Sequence, residues 1–236
     1  MISLTKEDKI GIITLDNQKD NKITYPDFIN ISILKSFIEE NYLKSILIKG
    51  AGRHFSSGAD LSKIKKYLEE NSLNTKLNEG KKVLQYIYRL NIPVVAAIEG
   101  VCFGAGLEIA LAAHIRVVSK KALLAFPESM HNLMPGLSGS YSLKKHLSLG
   151  QSIETVLSGN ILNAEQSLKL GIADYCVPAK STFEYSVAML KKLTKDKPLN
   201  VINNIMTALK NAYELDNNEA LIEETRLFCE LARNIK

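Results

Sequence analysis

Residues 92–113 read I-P-V-V-A-A-I-E-G-V-C-F-G-A-G-L-E-I-A-L-A-A. Pro93 to Ile98 is continuously apolar, as in a β-strand covered on both faces. Gly100, Gly104 and Gly106 then punctuate a turn, and a helix follows from Leu107 to Ala113. Extended to Val118 the stretch is long enough to span a bilayer, but Glu99, Glu108 and the glycines interrupt it. A buried strand–turn–helix fits better, and no membrane insertion is expected.

Working outward, Ile10–Leu15, Ser45–Lys49, Ile115–Val118 and Leu123–Phe126 read as further strands. Thr24-Tyr25-Pro26-Asp27 has the cap, early proline and acidic turn of a helix start, which predicts a helix to about Glu40. Leu61–Glu70, Leu77–Leu90, Leu137–Leu147 and Ile153–Ser158 read as helices. From Ala179 onward the pattern is helical, with breaks near Pro198 and Asn217-Asn218. Strands alternating with helices and then an all-helical end predict an α/β core over 1–180 and a helical lobe over 181–236.

A chain of 236 residues that is 46% apolar can bury about 70% of its unfolded surface without a covalent staple. Cys102, Cys176 and Cys229 lie far apart with no C-x-x-C. That excludes a disulfide scaffold and a zinc ribbon and points to a reducing cytoplasm. The polar stretch from Met1 to Lys9 does not read as a signal peptide. The net charge is +5, and residues 60–92 carry much of it, seven cations against four acids. This is too little for a nucleic-acid binder and suits a few phosphates on a small ligand; a solvated helix face would look the same.

Several nucleotide and nucleophile motifs fail on single residues. The third glycine of G-x-G-x-x-G would fall at Ile109, and the second of G-x-S-x-G at Ser140. There is no Walker lysine motif, and His54, His114, His131 and His146 have no metal-site spacing, so no metal is expected.

Two backbone turns and two carboxylates remain. Phe55-Ser56-Ser57-Gly58-Ala59-Asp60-Leu61 and Gly104-Ala105-Gly106-Leu107-Glu108 each place small residues before a helix start, where unpaired N–H groups can hold an anion. Each could also be a plain connecting turn. Glu108 is a carboxylate among residues of core type, costly unless paired or functional. Glu128 follows the apolar strand Leu123–Phe126, just past the end where ligands of α/β sheets bind. Two carboxylates beside an anion hole suit proton transfer next to a carbonyl. Taken singly, Glu108 could be a helix-start carboxylate and Glu128 a surface loop residue.

Four segments together resemble the crotonase, or enoyl-CoA hydratase/isomerase, superfamily: F-S-S-G-A-D-L at 55–61, the run 92–108, F-P-E at 126–128 and P-G-L-S-G at 135–139. L-S-G-N-I-L-N-A-E-Q-S-L-K-L-G-I-A-D at 157–174 is similar to the family's approach to its last strand. The resemblance implies a spiral of ββα repeats with a C-terminal helical trimerisation lobe over 181–236, assembled as a trimer or dimer of trimers. It implies a thioester on coenzyme A or an acyl carrier as substrate, with no separate cofactor. Carried over by position, Ala59 and Ala105 would donate the oxyanion-hole N–H groups, and Glu108 and Glu128 match the family's two catalytic glutamates. Gly58, Ala59, Asp60, Leu61, Gly104, Ala105, Pro135 and Gly136 would line the substrate site.

Within that resemblance, keeping both glutamates implies reversible hydration of a 2-enoyl thioester. The alternatives are Δ3–Δ2 isomerisation, a dehydration or decarboxylation on a carrier-bound intermediate, or a non-catalytic acyl-CoA or partner-binding member. Lys63, Lys65 and Lys66 follow the Ala59 turn, near where family members bind the adenine and phosphates. Asn132 and Ser138 stand where the family often has glycine, and the family's further basic C-terminal segment is not matched after Lys236.

One expectation concerns assembly. Apolar residues at 201, 202, 205, 206, 208, 209 and 212, then Leu221, Ile222, Leu227, Phe228, Leu231 and Ala232, make stripes wide for helices with one face to cover. Packing on the protein's own core would account for them in part, and burial against a neighbouring subunit for the rest.

Overall fold

The computed structural model describes residues 2–17 and 19–233. A six-stranded sheet carries the architecture. Its strands are β1 (Ile2–Glu7), β2 (Ile10–Leu15), β3 (Ser45–Gly50), β4 (Val94–Ile98), β6 (Ile115–Ser119) and β9 (Tyr175–Val177), adjacent in that order. The first pair is antiparallel and every later pair is parallel. A smaller sheet pairs β5 (Val101–Phe103) with β7 (Leu123–Ala125) and then β8 (Leu162–Asn163).

Side-chain alternation divides the large sheet between two cores. Ile10, Ile12, Leu47, Val95, Ala97 and Val117 face one side, where Val187 and Leu190 of α8 (Thr182–Thr194) cover them. Ile13, Leu15, Ile46, Ile48, Val94, Ala96 and Ile98 face the other, the main core. Helices α1 (Ile31–Glu40), α3 (Leu73–Arg89) and α4 (Ala105–Ala112) contribute Leu34, Ile87 and Leu107 there. The helical region beyond 180 therefore opens with a helix that belongs to the sheet. Its last two helices, α9 (Leu199–Glu214) and α10 (Asn217–Ala232), pack on each other and reach the main core through Ile202.

Each turn of the spiral gives one strand to each sheet before a helix. β4, β5 and α4 form one ββα unit, and β6 and β7 begin the next. After β3 the chain does the same in miniature: Ser56 bridges to Cys102 of β5 before α2 (Leu61–Glu69). The loops leaving the small sheet thus stack side by side, and the candidate site forms there.

Helix α3 begins at Leu73 rather than Leu77 and α4 at Ala105 rather than Leu107, and three further boundaries differ from expectation. The helix read from Thr24 begins at Ile31, capped by the Asn30 side chain on the Ile33 N–H. Residues 23–27 instead form an irregular strap, because Ile23 pairs through its backbone with Gly58 and Asp60. The helix read from Leu137 is the short α5 (Gly139–Leu143), since the N–H groups of 137–139 serve another purpose described below. The helix read from Ile153 starts at Leu149, as α6 (Leu149–Ser158), with Ser148 and Gln151 forming a capping box. Among the described residues no helix is long and apolar enough to cross a membrane.

Candidate active site

At Gly58 the backbone has φ +97°, and a Cβ there would lie 2.9 Å from the Phe103 carbonyl oxygen and 3.8 Å from the Ala105 nitrogen. The two sequence turns are therefore pressed together, which only glycine permits at this conformation. The strap fixes the first turn: the Ile23 N–H donates to Gly58 O at 2.9 Å and the Asp60 N–H to Ile23 O at 3.0 Å. Neither bond uses the Ala59 N–H. The second turn leaves β5 at Gly104, with φ +50°, whose N–H donates to Ala125 O of β7. Ala105 opens α4, so its N–H has no carbonyl one turn earlier within the helix.

Glu108 sits on a helix whose eight residues are all buried. It is only 1% exposed, and its Oε1 accepts three N–H groups: Leu137 at 2.8 Å, Ser138 at 2.9 Å and Gly139 at 2.7 Å. Burial pushes its pKa up, and the three amides pull against that shift. Glu128 lies in a short 3-10 turn, Pro127–His131, directly after β7. Its Oε1 stands 2.9 Å from where a Gly104 Cβ would be, so a side chain there would collide with the carboxyl. Its buried Oε2 has no hydrogen-bond partner among the described residues. Burial, with a further push from the Glu108 charge, raises its pKa to about 7. The two glutamates share a cleft but not an environment. One is anchored by three amides, and the other keeps one buried carboxyl oxygen without a partner among the described residues.

Gly58, Ala59, Asp60, Leu61, Gly104, Ala105, Glu108, Glu128 and Gly136 all line one cleft of about 620 Å³. Its other walls are largely apolar, with Ile23, Leu77 and Leu137 among them, and Lys22 and Lys63 also line it. The Asp60 carboxylate is committed to capping α2: it accepts the Ser62 hydroxyl at 2.7 Å and the Ser62 N–H at 3.0 Å, and the hydroxyl holds its pKa below the usual range.

Pro135 does not line this cleft; it lines a neighbouring cavity of about 440 Å³. Lys65 and Lys66 are also outside the cleft lining, and Lys66 pairs with Glu70 at 3.5 Å. Asn132 and Ser138 both adopt positive φ, +56° and +132°. Asn tolerates the left-handed region, whereas Ser138 carries real strain there, held by its N–H bond to Glu108.

Sequence reasoning missed the strap and the 137–139 amide nest. The glycine-flanked G-L-S-G at 136–139 before a helix was the available signal for the nest. His114 is structural: its Nδ1 accepts the Val94 N–H at 3.0 Å, its Nε2 faces Tyr88 O at 2.8 Å, and burial lowers its pKa to about 4.

Solved structures share this fold. An enoyl-CoA hydratase from Polaromonas sp. JS666 matches with a TM-score of 0.89 and 24% identity, over 97% of this chain and 90% of that one. An enoyl-CoA hydratase from Bacillus anthracis matches at 0.87 and 22%, over 99% and 91%. A chain from Thermobifida fusca YX, solved in complex with acetoacetyl-CoA, matches at 0.87 and 22%, over 99% and 95%. The family model described as enoyl-CoA hydratase/isomerase matches residues 5–236. With that match running through both turns and both glutamates, the chain belongs to the enoyl-CoA hydratase/isomerase family, the crotonase superfamily.

Proposed function

We propose that the protein is an enoyl thioester hydratase, adding water reversibly across the C2–C3 double bond of a 2-enoyl-CoA. The observation that carries this reading is two carboxyl groups of unlike environment in one cleft that Ala59 and Ala105 also line, the latter at the first position of α4. The Ala59 and Ala105 N–H groups hold the thioester oxygen, where negative charge grows as water adds to C3. Each such donor contributes about 3–4 kcal/mol in studied acyl enzymes. Glu108, ionised and anchored through Oε1, takes the water proton; Glu128, protonated, delivers its proton to C2. The pair starts and finishes with one proton between them, so the cycle closes when they exchange it. Lys22 and Lys63 suit the phosphates of coenzyme A, and the acetoacetyl-CoA held by the Thermobifida fusca YX chain supports that class of ligand.

The test is loss of the conjugated enoyl absorbance on mixing protein with crotonyl-CoA. Glu128→Gln keeps the shape of the side chain and is expected to lower kcat by about 10²- to 10⁴-fold with the fold intact. Full activity in that variant overturns the assigned role. Conversion of a 3-enoyl-CoA without hydration of crotonyl-CoA would make the protein an isomerase instead.

A further inference from the structure

Ser56 touches none of the atoms assigned to the chemistry, yet both turns of the cleft are fastened to it. It is fully buried. Its main chain is laced to β5: the N–H donates to Val101 O at 3.1 Å, and the carbonyl accepts the Phe103 N–H at 3.0 Å. Its side chain packs against the start of α4, where a Cβ on Gly106 would come within 2.7 Å of Ser56 Cβ. Its hydroxyl donates to Asn21 O at 2.7 Å and accepts the Gly58 N–H at 3.1 Å. Asn21 is itself immobilised: buried, at φ +50°, with Nδ2 donating to Ala51 O and His54 O at 2.9 and 2.8 Å.

The two peptides flanking Gly58 are thus held separately. Ser56 Oγ takes the N–H of one, and Ile23 donates to the carbonyl of the other. That second peptide also carries the Ala59 N–H. Because Gly58 has no Cβ to resist rotation, its φ is set by these two bonds rather than by intrinsic preference. Removing the hydroxyl frees the peptide before Gly58, so the peptide that carries the Ala59 N–H is then held by the Ile23 pairing alone and can tilt relative to the Ala105 N–H.

We propose that Ser56 is a positioning residue for the oxyanion hole, its hydroxyl setting the angle at which the Ala59 and Ala105 N–H groups meet a thioester oxygen; this rests on the reading of the cleft as a thioester site. The effect falls on the transition state more than on substrate binding, since misaligned donors lose most where charge is greatest.

The test uses butyryl-CoA labelled with ¹³C at the thioester carbonyl, a saturated probe that is not turned over. Bound to the unmodified protein, its carbonyl stretch is expected below the value in water. Ser56→Ala is expected to reduce that downshift to about half or less, and to lower kcat for crotonyl-CoA about tenfold with KM changed less than about threefold. Ser56→Cys keeps the bulk but offers a weaker hydrogen-bonding group, and is expected to fall between the two. A role confined to stability would lower Tm while leaving the downshift per bound probe unchanged, and that result in either folded variant overturns the proposal. Absence of any downshift in the unmodified protein overturns it too. A downshift sensitive to Ser56 in a protein that does not hydrate crotonyl-CoA would refute the hydratase reading and uphold this one.

Discussion

Glu108 and Glu128 have the same side chain, and the backbone around them makes them chemically different. Three amides converge on Glu108 Oε1, while Glu128 Oε2 is buried without a partner among the described residues and burial raises the Glu128 pKa to about 7. Two neighbouring carboxyls titrate as a pair, and the reaction requires that pair to carry one proton. Above pH 7 the last proton leaves, so kcat/KM for hydration is expected to fall tenfold per pH unit on that limb. Hydration consumes no proton overall, so kcat/KM for dehydration of the 3-hydroxyacyl thioester must fall with the same profile. A pH–rate series in both directions checks this, and a flat profile from pH 6 to 9 would refute it. At this scale much was legible. A carboxylate in the apolar run 105–112 and another just past a strand end announce themselves by their cost. The amides that anchor Glu108 lie 29 to 31 residues away in the chain, and no local pattern links the two.

Helix α3 shows how an element can be placed by what it lacks. Gly80 stands buried in its middle, where glycine costs up to about 1 kcal/mol relative to alanine. A Cβ there would lie 2.7 Å from Pro26 O in the strap and 2.6 Å from Leu137 Cδ2. The glycine lets α3 press against both the strap that holds Gly58 and the residue that opens the Glu108 nest. Gly80→Ala is therefore expected to destabilise by about 1–3 kcal/mol despite its better helix propensity. Gly150→Ala, in α6 with open space around it, is expected to stabilise by about 0.5–1 kcal/mol. Urea midpoints for the two variants should move in opposite directions, and a stabilised Gly80→Ala would refute the close-approach argument.

The same element scale shows where reading failed. The parallel strands β2, β3 and β4 are apolar throughout because both faces are covered, so they stood out. β1 (I-S-L-T-K-E) is a half-exposed edge strand paired to β2, and its alternation is passed over because residues 1–9 read only as a polar, charged stretch. Thr24, Pro26 and Asp27 carry helix-start chemistry, but a long-range backbone pairing from Ile23 to Gly58 overrides it.

At the scale of the whole molecule, the apolar stripes of the last two helices are divided by the fold. Ile202 and Leu227 turn inward and are buried. Ile222 and Phe228 are 67% and 69% exposed, and Ile205 and Leu209 of α9 also face outward. On α6, Leu149, Ile153 and Leu157 recur at four-residue spacing, and all three are exposed. So much apolar surface on two helical faces is costly for a lone chain, and closed symmetric association would cover it without open-ended growth. We expect a trimer or hexamer at micromolar concentration, several times the 26.2 kDa of one chain. Leu227→Asp would not test this, because Leu227 is buried within its own subunit and a carboxylate there is expected to destabilise the chain itself. Ile222→Asp with Phe228→Asp alters only outward-facing positions, so the variant should keep its helical content and lower its mass. Light scattering that returns a single-chain mass for the unmodified protein would refute the assembly. An unchanged oligomer in the double variant would move the interface away from α10.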